Sequence, residues 1–283
     1  MTASPTTLLI IYGSAIAVVS LLGGFLPNWV RMTHTRTQMI MSFVSGFMLA
    51  VAFFHLLPHS LVLVGGVGAA DEVAAWLMLG LVGMLLMLRL FHFHQHDFSD
   101  AEHSHHDHHH EAAAHSLSWI GIALGLGLHT LIDGVALGAA LYGANTPGVT
   151  GLLGFGVFLA ILLHKPLDAM SVTSIMEAGG WGRSARTAMN VVFAVLCPLG
   201  AALFYVGIGA ASTDQQHIVG LALAFAAGAF VCIALSDLLP EVHFHSHDRG
   251  KLTAAFLVGI ALAWAIGIFE PASSHQLLHS TPG

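Results

Sequence analysis

Residues 117–142 read LSWIGIALGLGLHTLIDGVALGAALY, and this stretch decides the fold. About 20 apolar residues cross the hydrocarbon of a bilayer as a helix, and this run exceeds that while His129 and Asp133 are its only His, Asp, Glu, Lys or Arg side chains. Working outward, seven further runs of the same kind give eight in all: 8–26, 39–64, 73–91, 117–142, 149–175, 187–208, 218–239 and 252–269. Only 8% of the 283 residues are charged, against about 25% in soluble domains. The fold class is therefore all-α, a polytopic membrane protein forming a single transmembrane domain over residues 1–283. Nucleic-acid binders and secreted disulfide scaffolds are excluded. Cys197 and Cys232 lie inside apolar runs and are expected to be packing residues. No Lys or Arg precedes the first run and no small-residue cleavage site closes it, so it is expected to stay as a membrane helix.

The basic residues orient the chain. Arg31 and Arg36 follow span one, Arg89 ends span three, Arg183 and Arg186 follow span five, and Arg249 and Lys251 follow span seven. Every second connection takes them, which places those connections in the cytoplasm and both termini outside. Spans two and seven also share a pattern: Phe43, Gly46, Ala52 and His55-Leu-Leu-Pro-His59 align without a gap with Phe225, Gly228, Ala234 and Asp237-Leu-Leu-Pro-Glu241. With opposite directions for the two spans, this predicts an inverted repeat of spans one to three and six to eight around spans four and five.

Ionisable groups inside a bilayer are costly and functional by default. Span four carries His129 and Asp133, and span five carries His164 and Asp168. In each the pair is four residues apart and shares a helix face. Two imidazoles and two carboxylates suit a borderline divalent ion such as zinc, iron, manganese or cadmium. A buried His–Asp hydrogen bond between helices is the alternative for one pair, but two pairs in adjacent spans favour a metal. Lys165 has three donors and no acceptor, so it either neutralises an aspartate or stands where a second metal would sit. Pro166 is expected to kink span five, and Gly121, Gly125, Gly134 and Gly138 to let helices approach closely.

A third feature is the His-rich stretch 92–116, a cytoplasmic loop expected to be disordered, with His103, His105, His106, His108, His109 and His110 among its ten histidines. Further candidates for a metal pathway are His55, His59 and Met48 on span two, Glu177 at the inner end of span five, and Asp237 and Glu241 at the inner end of span seven.

These residues resemble the ZIP (ZRT/IRT-like) family of divalent-metal transporters over nearly the whole chain. The span-four motif of that family, His-Asn-x-x-(Asp/Glu)-Gly, is similar to His129-Thr130-x-x-Asp133-Gly134, with Thr130 in place of the asparagine. In its span-five motif His164 and Asp168 fit, Lys165 replaces the second-position ligand, and the proline comes one residue early. The resemblance implies import of zinc or a similar cation into the cytoplasm across the plasma or inner membrane. It also implies a bundle of spans one, four, five and six moving against two, three, seven and eight. The expected partners are the metal ion and membrane lipid, with no nucleic acid and no resident cofactor, and a homodimer is an admissible assembly. A membrane zinc hydrolase and a metal exporter are the rival readings; the HExxH protease motif is absent.

Overall fold

A computed structural model describes residues 4–29, 34–91, 111–144, 152–211, 214–238 and 249–268. Every regular element among them is helical, and eight helices are long and apolar enough to cross a membrane. They are α1 (Pro5–Trp29), α2 (His34–Val51, continued through Ala52–Leu56 and Leu57–Val64), α3 (Ala70–Phe91), α4 (Glu111–Gly143), α5 (Leu152–Ala178), α6 (Arg183–Ala210), α7 (Gln215–Ile233, continued through Ala234–Leu238) and α8 (Arg249–Ile268). Helices are forced on such segments because hydrocarbon offers no partner for a backbone N–H or C=O.

Local chemistry sets several boundaries. Ser4 caps α1: its hydroxyl accepts from the Thr7 N–H at 3.2 Å, and Pro5 takes the first helical position, where no donor is needed. At the far end of α5, Trp181 N–H returns to the Met176 carbonyl at 2.9 Å around Gly180, whose φ of 76° only glycine adopts cheaply. The chain then re-enters a helix at Arg183, so α5 and α6 are tightly joined. Helix α4 begins at Glu111, inside the stretch 92–116 assigned to the loop from sequence. Residues 92–110, with the six named histidines, lie outside the described residues, as does Glu241.

Both α2 and α7 widen into a π turn, at Ala52–Leu56 and at Ala234–Leu238. These are the aligned positions of the shared pattern, and each turn ends shortly before a proline, Pro58 and Pro240. Pro58 has no N–H and its ring would collide with the carbonyl four residues back; the widened turn before it, in which Leu57 N–H bonds the Ala52 carbonyl five residues back, absorbs both defects. The hydroxyl of Ser45 donates to the Ala234 carbonyl at 2.8 Å, tying the start of the second widened turn to α2.

More than half of each spanning window is buried in α2, α4, α5 and α7, and a third or less in α1, α3, α6 and α8, so four helices form the inside and four the rim. The tightest crossings come in matched pairs. A Cβ on Gly46 of α2 would collide with the Phe256 carbonyl of α8, and one on Gly228 of α7 with the Leu77 carbonyl of α3. In return, Gly259 of α8 lies against the Phe43 carbonyl and Gly80 of α3 against the Phe225 carbonyl. Gly23 of α1 meets Pro166 of α5, and Gly200 of α6 meets Leu131 of α4. Absent side chains let the backbones touch, which is how packing is gained where there is no hydrophobic drive between helices.

Candidate metal centre

The inner helices α4 and α5 face each other through their two motifs. Four residues converge there, His129 and Asp133 from α4 and His164 and Asp168 from α5, all buried, with one donor atom from each within 4.8 Å of every other. Asp133 Oδ2 lies 3.2 Å from His129 Nε2 and 3.1 Å from His164 Nε2, and the two Nε2 atoms are 3.5 Å apart. Asp168 Oδ2 lies 3.6 Å from His129 Nε2 and 3.7 Å from His164 Nε2. A tetrahedral zinc with ligands at about 2.1 Å has ligand–ligand edges of about 3.4 Å. Five of the six ligand–ligand separations bracket that length and the sixth, between the two carboxylates, lies within 4.8 Å, so the cluster has the dimensions of a site for one small divalent ion.

Hydrogen bonds around the cluster set its donors. His164 Nδ1–H donates to the Ala160 carbonyl one turn back, at 2.8 Å. A neutral imidazole fixed in that way turns the lone pair of Nε2 towards the centre, the arrangement typical of a metal-ligating histidine. That Nε2 lies 3.1 Å from Asp133 Oδ2, so a nitrogen and an oxygen able to ligate a cation meet there. Asp133 Oδ1 and His129 Nδ1 are buried with no hydrogen-bond partner among the described residues. The edge of Phe230, fully buried on α7, closes one side against the His164 ring at 6.4 Å between centroids. Behind α4, Gly134 packs on the Cys197 carbonyl of α6, and Cys197 is buried and free, as expected of a packing residue.

Lys165 is the fifth ionisable group in the cluster. Its buried ammonium donates to Asp133 Oδ2 at 2.5 Å, to Asp168 Oδ2 at 3.1 Å and to Thr130 Oγ1 at 3.0 Å, three acceptors for three protons. Unpaired, such a charge would be very costly in the membrane interior. Of the two roles open from sequence, the geometry contains the first directly: the ammonium pairs with both aspartates. The role of Thr130 was not foreseen. The signal was present, since Thr130 and Lys165 each follow the histidine of their motif and so occupy equivalent places.

The other sequence candidates do not join this group. His55 is buried in the widened turn of α2, with its ring against Gly156 of α5 and Gly267, and its Nε2–H donates to the Ala263 carbonyl of α8 at 2.9 Å. His59 Nδ1–H donates to the His55 carbonyl at 2.6 Å. Met48 is buried in the apolar core. Glu177 is exposed and pairs with Arg186 Nη1 at 2.6 Å across the α5–α6 connection. The backbone of Asp237 lies in the second widened turn, and its side chain is outside the description.

The family described as ZIP zinc transporter matches residues 91–267, more than half of the chain and including both motifs. Among curated proteins, zinc transporter ZIP9-B of Xenopus laevis is 35% identical over 130 residues, covering 44% of this chain and 41% of that protein. Zinc transporter ZIP9 of Micropogonias undulatus is 34% identical over 160 residues, covering 53% of this chain and 50% of that protein. The zinc transporter foi of Drosophila melanogaster is 28% identical over 165 residues, 54% of this chain and 22% of that protein. The matched region thus spans half or less of these relatives.

Proposed function

Because the chain belongs to the ZIP zinc transporter family, we propose that it carries a divalent transition-metal cation, zinc foremost, towards the cytoplasm, bound between α4 and α5 by His129, Asp133, His164 and Asp168. Its eight apolar helices make it an integral multi-pass membrane protein. The observation that carries the reading is the meeting of two imidazole nitrogens and two carboxylate oxygens, each nitrogen at 3.1–3.7 Å from each oxygen, deep in the spans. Two imidazoles with two carboxylates favour zinc and its neighbours over calcium or magnesium, which prefer oxygen alone. A hydrolase reading has no such support.

The site takes one ion. Lys165 holds the position where a second-place ligand would stand, and its ammonium occupies both aspartates. Replacing it by glutamate adds acceptor oxygens and removes a repelling charge, so Lys165→Glu is expected to bind zinc more tightly and release it more slowly. Inward direction is what the family resemblance implies, and the basic residues in alternate connections support both termini lying outside, at the plasma or inner membrane. The matched glycine crossings and widened turns support an inverted repeat, since exchanging α1, α2, α3 and α4 with α6, α7, α8 and α5 maps each crossing onto another. By its composition the His-rich loop concentrates or senses metal at the cytoplasmic face.

The test is zinc uptake by the purified protein in liposomes of known insertion, followed by a dye inside. The wild type fills the vesicles, whereas Asp133→Ala and Asp168→Ala inserted at equal amounts do not. Near-normal uptake by either variant overturns the ligand assignment.

A further inference from the structure

A carrier that shows one site alternately to each side must also make the return journey without cargo. For a site built on two carboxylates that leg is the difficult one, because the penalty for charge in low dielectric grows as the square of the net charge. Of the fixed charges, Asp133 and Asp168 alone sum to two negative without cargo and to none with a divalent ion. The ammonium of Lys165 changes both sums: one net negative charge without cargo, one net positive charge with it. The loaded and unloaded forms then face penalties of equal size.

Resting on the transport reading above, we propose that Lys165 is a tethered counter-cation for the return leg, which lets the unloaded carrier cross back without a second metal or a co-transported ion. Three features of the geometry suit it to that role. The ammonium bridges the Oδ2 atoms of both aspartates, so it neutralises the pair rather than one member. It is anchored on α5 three residues from Asp168, and its third proton goes to Thr130 of α4, so it travels with the helices that hold the cargo. Asp133 has a second oxygen, Oδ1, buried and without a hydrogen-bond partner among the described residues, so that with an ion on Oδ2 the ammonium has another oxygen of the same carboxylate to pass to. The metal and the lysine therefore share the carboxylates, and one need not expel the other.

A purely structural lysine would affect every flux alike, whereas a return-leg cation affects net uptake and spares zinc-for-zinc exchange, in which the carrier never crosses unloaded. Both fluxes are measured in proteoliposomes with isotopic zinc outside and either no metal or unlabelled zinc inside. In the wild type, net uptake is expected within roughly threefold of exchange, and in Lys165→Met net uptake is expected to fall at least about tenfold relative to exchange, the scale of an unneutralised charge in the membrane interior. Lys165→Arg is expected to restore the wild-type ratio. Exchange more than about tenfold faster than net uptake in the wild type, or a proportional loss of both fluxes in Lys165→Met, overturns the proposal. If Lys165→Met does not accumulate, the wild-type ratio decides alone. A wild type that moves no zinc in either assay fails the transport reading instead, and so the two failures are distinguishable.

Discussion

Three pairs of ionisable side chains share one spacing, and the pair on α2 has a different fate from the two on α4 and α5. On α2, His55 and His59 are buried four residues apart, but each sends a ring N–H to a backbone carbonyl, of Ala263 and of His55 itself. On α4 and α5, His129 with Asp133 and His164 with Asp168 are also four apart, and their side chains meet. Four-residue spacing puts two groups on one face and does nothing more. A ligand set needs a second helix presenting a complementary pair at the same depth, and α5 supplies it to α4. The histidines of α2 instead bond to backbone: His55 ties the widened turn to α8, and His59 returns to the carbonyl one turn back.

The largest expected effect breaks the ligand pair. Asp133→Ala or Asp168→Ala is expected to lower zinc uptake at least about a hundredfold with protein still in the membrane, beyond the 10- to 100-fold typical of groups behind the ligands. The same set is tested on binding by His164→Gln, which removes one imidazole ligand: zinc affinity by titration in detergent, after removal of the His-rich loop, is expected to fall at least about a hundredfold, again beyond the range for groups behind the ligands.

Next come the glycine crossings. Gly46→Ala and Gly228→Ala each push a methyl into a facing carbonyl, and each is expected to cost about 1–3 kcal/mol of stability. Similar losses of thermal stability for the two variants would sharpen the repeat, and a loss confined to one would break it. Replacing the α2 histidine is milder. His55→Gln keeps a donor towards Ala263, and uptake is expected to stay within about threefold of wild type, since a neutral hydrogen bond is worth about 1 kcal/mol. The smallest effect belongs to the loop: deleting residues 102–111 leaves uptake measurable, because a polar segment outside the spans can gather metal but not form the path.

Much of this was legible in the sequence for physical reasons that can be named. The eight spans were readable because a helix in hydrocarbon must be apolar along its whole length, and the described helices overlap every one of the expected runs. The cluster was readable because ionisable groups at that depth are expensive, so His129, Asp133, His164, Lys165 and Asp168 stood out against Leu, Ala and Gly. The division of labour inside the cluster was harder to read. That Lys165 bridges both aspartates and rests on Thr130 depends on the distance between α4 and α5, which no spacing within either helix fixes. The widened turns had a signal in Pro58 and Pro240, but proline predicts a defect without saying how the chain repairs it. Glu177 was readable as an inner-end carboxylate, and its pairing with Arg186 followed from the tight turn at Gly180.

The most direct test of one-ion binding between α4 and α5 is an anomalous difference map from zinc-soaked crystals, recorded at the zinc edge. One peak is expected in the spans, within about 2.0–2.2 Å of His129 Nε2, His164 Nε2 and a carboxylate oxygen from each of Asp133 and Asp168, with the Lys165 ammonium beside it. Two peaks between α4 and α5, or a peak on His55 and His59 with none at Asp133, would contradict it.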